Sequence, residues 1–90
     1  MNAKKIAYKC KDVEWKEIEG EVLVFEPEKY FFFRLNSTAS FIWKKINGKS
    51  SFKEISQATK NKYKLKDGQA KKDLFDCIKK LKDLKLIYFK

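Results

Sequence analysis

Few side chains in this 90-residue chain could do chemistry: two cysteines, Cys10 and Cys77, twelve scattered carboxylates, and one arginine, Arg34, among 22 basic residues. There is no histidine. A structural zinc site usually takes four protein ligands and a catalytic one three, so two distant cysteines without imidazole do not make a conventional one. General acid–base catalysis leans on histidine and phosphate cradles on glycine-rich loops, and this chain has only three glycines. Its Asp and Glu residues, interspersed with lysine on helical segments, read as solvated faces with intrahelical charge pairs. What remains is recognition. Arg34 could fork onto a ligand carboxylate or pair internally with a Glu of the preceding strand. Cys77 falls in a helical apolar pattern and reads as a small buried hydrophobe, whereas Cys10 sits in a basic flank and receives no role. No catalytic residue, metal site or cofactor is expected, and the chain reads as a non-enzymatic module.

The net charge of +10 raises nucleic acid as a partner. Direct base readout favours bidentate arginine, and Arg34 is alone in that role; the rest of the basic charge is lysine, which composition bias alone can supply. The charge is also uneven. Residues 1–50 carry ten basic and seven acidic side chains, net +3, and residues 51–90 carry twelve and five, net +7. An acidic partner would therefore meet the C-terminal half.

These residues must be positioned by a small domain, with 43% apolar and 38% charged residues and no linker or repeat. Its longest apolar runs span a few residues, too short for a transmembrane helix, and no secretory signal is visible at the start. Neither feature suggests a membrane, and a cytoplasmic protein is expected. Strands are predicted at about residues 12–18 around Trp15, at 21–26 where Val22, Leu23, Val24 and Phe25 favour extended backbone, and at 30–35. Glu19-Gly20 and Pro27-Glu28-Lys29 supply the turns, giving an antiparallel meander. Tyr30, Phe31, Phe32, Phe33 and Leu35 are apolar on both faces of the third strand, so either both faces are covered or a partner is expected.

Three helices should follow. Asn36 to Ala39 offers a cap for the first, about residues 37–47, with Ala39, Ile42, Trp43 and Ile46 at helical spacing and Gly48 as the stop. Ser51 with Glu54 has the capping-box spacing for the second, whose apolar face is Phe52, Ile55 and Ala58. Asp67-Gly68 marks a break before the third, about residues 69–84, with a stripe of Ala70, Leu74, Cys77, Ile78, Leu81 and Leu84. Phe75 lies beside that stripe, on the flank of Lys71 and Lys82. It either widens the core contact or, with Ile78, floors a lysine-rimmed groove suited to an acidic amphipathic peptide. Leu86 to Phe89 should fold back onto the body.

The run Leu35-Asn36-Ser37-Thr38-Ala39, then Ile42-Trp43, Ile46-Asn47-Gly48 and Ser51-Phe52-Lys53-Glu54-Ile55, resembles the PqqD-like family of precursor-peptide recognition elements (RiPP recognition elements). The resemblance covers roughly residues 12–88. Members often end their last helix in leucine-glycine-leucine, where this chain has Leu84-Lys85-Leu86. The resemblance implies an α+β fold like a winged helix-turn-helix, with a three-stranded antiparallel sheet followed by three helices. It divides the chain into an N-terminal flank, residues 1–11, and a peptide recognition domain, residues 12–90.

The function implied is binding of the leader segment of a ribosomally made precursor peptide by strand addition to the third strand, beside the third helix. Carried over by position, the peptide-binding residues would be Tyr30, Phe31, Phe32, Phe33, Arg34 and Leu35 on the strand, and Lys71, Leu74, Phe75, Ile78, Lys79 and Lys82 on the helix. Partners would be the leader peptide and a separate modifying enzyme, either a radical SAM protein or a lasso-peptide protease and cyclase. Asn36, Thr38 and Trp43 read as fold determinants. The alternative is a winged-helix DNA-binding protein, which the lack of Arg, Asn and Gln beyond Gln69 on the third helix and of a basic wing hairpin disfavours.

Overall fold

The computed structural model describes residues 4–26 and 31–89. Its element order is β1 (Ala7–Lys9), β2 (Glu14–Ile18), β3 (Glu21–Glu26), β4 (Phe31–Arg34), α1 (Ser37–Lys45), α2 (Phe52–Tyr63), α3 (Asp67–Asp83) and β5 (Ile87–Phe89). The three expected strands are β2, β3 and β4, paired antiparallel in that order, and the three helices follow as expected. Tyr30 and the Pro27-Glu28-Lys29 turn lie outside the described residues.

β3 is central because its residues alternate cleanly. Val22 and Val24 are fully buried against the helices, and Leu23 and Phe25 turn to the other face. Register carries the alternation to its neighbours. Val24 pairs with Trp15 and Phe33 on the inner face, and Phe25 with Glu14 and Phe32 on the outer one. Trp15 meets Trp43 of α1 edge to face with ring centres 6.2 Å apart, yet remains 41% exposed.

Ser40, fully buried, joins sheet to helix. The Leu35 N–H donates to the Val22 carbonyl at 2.8 Å, so the next ladder bond would run from Val22 N–H to Leu35 C=O. Ser40 Oγ stands between those two groups, accepting from Val22 N–H at 2.8 Å and donating to Leu35 C=O at 3.0 Å. The chain can thus leave the sheet at Leu35 without orphaning either group.

Helix ends follow local chemistry. Asn36 Oδ1 accepts from Ala39 N–H, and Ser51 with Glu54 forms the reciprocal capping box, which holds the Glu54 carboxyl below its usual range through the bonds from Ser51. Gly48 has φ +76°, and a side chain there would also meet the Tyr8 ring at 2.9 Å. The expected break at Asp67-Gly68 is displaced. The turn is at Lys64, in the left-handed conformation, and α3 starts at Asp67, whose carboxylate suits a first helical turn and pairs with Lys60 at 2.7 Å. Gly68 is helical and exposed, with open space around its Cα.

At the far end of α3, Lys85 occupies the position where a glycine would be easiest and adopts φ +61°. Its N–H bonds the Lys82 carbonyl and the Leu86 N–H bonds the Leu81 carbonyl, closing the helix in a left-handed cap. Leu86 is thereby buried, and Ile87 to Phe89 fold back as β5 against β1, a strand that lies within residues 1–11. Cys10 N–H bonds Leu86 C=O and Cys10 Sγ donates to Lys85 C=O at 3.3 Å, so the N-terminal segment holds the helix exit.

Two outcomes test this account by urea denaturation. Ser40→Ala should cost about 1–3 kcal/mol, because Val22 N–H and Leu35 C=O lose their relay inside the core. Lys85→Gly should raise stability by about 1 kcal/mol by relieving a side chain held at positive φ.

Candidate functional site

β4 is an edge strand: β3 pairs with one side, and no described strand pairs with the other. Because Leu35 N–H points to β3, alternation directs the backbone groups of Phe33 to β3 as well, and those of Phe32 and Arg34 to the open side. Open edges are ordinarily blunted, so a short strand left open beside a groove is a candidate docking site.

That groove, about 410 Å³, runs from Arg34 and Leu35 across the start of α1 to α3. Leu35, Ala39, Ile42, Cys77 and Leu81 make its apolar wall, and Arg34, Asp73, Asp76 and Lys80 carry its charges. Most of these charges are already held. Arg34 pairs with Glu21, its Nε donating to Oε1 at 2.6 Å, which matches the internal alternative for that residue. Asp73 accepts from Gln69 Nε2 at 2.7 Å, and Asp76 lies 3.1 Å from Lys72 Nζ. Cys77 is packed against the core, and burial pushes its thiol up to about 12, against a smaller opposing effect of Lys80. Among the described residues no group of His, Cys, Asp and Glu could hold a metal ion. No helix among them is long and apolar enough to cross a membrane.

The sequence-derived strand residues divide by alternation. Phe33 packs against the core and Leu35 is buried, whereas Phe32 is 67% exposed on the outer face of the sheet and Arg34 is exposed at the groove mouth. Phe31 joins β4 through its backbone, and Tyr30 lies outside the described residues. The outer face also exposes Ile18 and Phe25.

The helix residues fall elsewhere. Leu74 and Ile78 are buried in the core. Lys71 and Phe75 face a separate groove between α2 and α3, and Lys82 lies over the Phe89 ring at 5.0 Å. At 100° per residue, Phe75 and Cys77 stand about 160° apart around α3, so Phe75 and its lysines occupy the flank turned away from β4, with Lys79 beside them. The flank facing β4 bears Asp73, Asp76, Cys77 and Lys80 instead. Its spacing of three and four was visible in the sequence. Nothing local says which flank of an amphipathic helix meets a given strand, because that depends on how α1 and α3 pack.

The profile of Coenzyme PQQ synthesis protein D (PqqD) matches residues 21–87. No curated protein matches at a significant level. Two solved structures align over nearly the whole chain. TbiB1 in complex with the TbiA(beta) leader peptide is 22% identical, with 89% of this chain and 93% of that one covered and a TM-score of 0.82. Lasso peptide synthetase B1 complexed with the leader peptide is 15% identical, with 91% and 96% covered and a TM-score of 0.82. At these identities the likeness is one of fold.

Cys77 offers a probe of the groove. At pH 8 its thiolate fraction should be about one in ten thousand, so iodoacetamide should modify it on the order of a thousandfold more slowly than an unperturbed peptide thiol, as followed by peptide mass spectrometry.

Proposed function

Because the chain belongs to the PqqD family, we propose that it binds the leader segment of a ribosomally made precursor peptide and presents it to a separate modifying enzyme, acting as an adaptor without catalysis of its own. The observation that carries this reading is the open edge of β4 beside an apolar groove walled by α3. An incoming strand would bond Phe32 and Arg34 through its backbone, which gives affinity for extended chains of many sequences. Alternate side chains would then drop toward Leu35, Ala39 and Cys77, which would give preference for aliphatic residues at those positions. The structures of TbiB1 and lasso peptide synthetase B1, with the same fold and leader peptides bound, support this reading. The family match is compatible with a radical SAM protein as partner, and the likeness to lasso peptide synthetase B1 with a protease and cyclase.

The charges refine what such a leader carries. The net charge of +10 favours encounter with an acidic peptide and makes association salt-sensitive. The groove itself holds Asp73 and Asp76 beside Lys80, so the segment seated there would place polar or basic groups against those carboxylates and keep its acidic residues outside.

A synthetic leader encoded beside the gene should bind by calorimetry and slow hydrogen exchange at the Phe32 and Arg34 amides. Thr38→Arg, at the groove mouth, should weaken binding about tenfold or more, whereas Phe75→Glu on the opposite flank should leave it within about twofold. A leader that binds without protecting those amides would exclude strand addition at β4. A folded domain that ignores its leader at low salt would overturn the function itself.

A further inference from the structure

The groove between α2 and α3, about 640 Å³, is larger than the one beside β4, and leader binding at β4 leaves it unused. Its floor is apolar: Phe52 and Leu74 are buried beneath it, and Phe75, 46% exposed, stands in it as a large unshielded ring. Among the described residues Phe75 is in none of the aromatic pairs that shield the rings of Phe41, Phe52 and Tyr63. An exposed ring standing in a concave groove is suited to anchor a partner.

The rim says what kind of partner. Asp67 is matched by Lys60 at 2.7 Å and Lys72 by Asp76 at 3.1 Å, so these charges are internally balanced. Among the described residues Lys53 and Lys71 are exposed and form no ion pair within 4 Å, although after the Lys60 hydrogen bond Lys71 also helps hold the Asp67 carboxyl below its usual range, and three lysines against Asp67 leave the rim net positive. Along α3, Lys71, Phe75, Lys79 and Lys82 share one flank at intervals of four and three, so the basic strip continues past the groove. Past their first turns both walls are helices whose backbone groups are bonded internally, so no strand edge is offered to an extended peptide. A ligand here must satisfy its own backbone bonds, which a helix does.

We propose that the α2–α3 groove is a second docking site, taking an acidic amphipathic helix of another protein, whose apolar stripe seats on the exposed Phe75 ring and whose flanking carboxylates meet Lys53 and Lys71. The site lies on the opposite flank of α3 from the β4 edge, so both can be filled at once. It stands independently of the leader reading, since neither the floor nor the rim includes a β4 residue.

The probe is a labelled synthetic helix with leucine and phenylalanine at positions i, i+3, i+4 and i+7 and glutamate on both flanks, compared with a version carrying glutamine for glutamate. Fluorescence anisotropy should show the acidic peptide binding the full chain more tightly, with amide shifts at Ser56, Gln57 and Phe75. Phe75→Ala and Lys71→Glu should each weaken it about tenfold, while Lys80→Glu, the same charge change on the other flank, should change affinity by less than about twofold. Equal losses for Lys71→Glu and Lys80→Glu would mean diffuse charge attraction and overturn the site. So would an unchanged affinity in Phe75→Ala, or a duplex DNA that displaces the peptide and binds more tightly than it does.

Discussion

The fold hinges on one buried hydroxyl. A strand that ends inside a domain must hand over its ladder groups to something, and at Leu35 the chain has no room to continue because Asn36 already caps α1. Ser40 resolves the conflict by inserting its Oγ between Val22 N–H and Leu35 C=O. Sheet and helix are thereby locked in register at one residue, and the neighbouring Ile42 and Trp43 of α1 are both fully buried. An alanine would fit the space and a threonine would crowd it, so the hydroxyl must come from a residue of serine's size.

That lock also sets where β4 can be open. Because α1 departs at once from the end of β4, it turns under the inner face rather than along the free edge, and α3 then stands off from that edge by the width of a groove. The edge is left open by the path of the chain. An open strand of four residues is too short to template extended aggregation, and the exposed Arg34 and Lys80 add charge on either side of it. The same geometry accounts for the apolar excess noted in the sequence. Phe33 serves the core, while Phe32 projects on the outer face with Phe25, where a guest strand would extend the sheet beneath no existing cover.

What could be read from the sequence follows a physical division. Caps are written in a few adjacent residues, so Asn36 and Ser51 with Glu54 were legible, whereas the left-handed exit at Lys85 was not, because a lysine stands there in place of the family's glycine. The strands around Val22 and Phe33 were legible because short runs of β-branched and aromatic residues favour extended backbone between turn signals. The orientation of α3 about its axis relative to β4 was not. A core stripe has two flanks, and Phe75 stood out on one of them by size alone, while the flank that meets β4 shows only Asp73, Asp76, Cys77 and Lys80. Residues of mixed polarity with half-satisfied charges look like ordinary surface until a strand is placed opposite them. The role of β1 was hidden for a similar reason: a three-residue strand pairs only because Lys85 turns the chain back.

The two flanks of α3 therefore differ in kind, and the difference constrains how the domain can work. On the β4 side the backbone would be the recognition element of the proposed leader site, and apart from the exposed Lys80 the side chains there are small, internally paired or buried, which would tolerate many peptide sequences provided they are extended. On the α2 side no strand edge is on offer, so recognition of the proposed helix would rest on the Phe75 ring and the surrounding lysines, selecting for a preformed shape and a sign of charge. A helix only about 10 Å across separates the two. Leu74, Ile78 and Leu81, all buried, hold α3 in place. A ligand on one flank can change affinity on the other only by moving that helix as a body, and the close packing of these residues resists such a shift. Independent occupancy would thus be the default for the two proposed partners, each held by the chemistry of its own side.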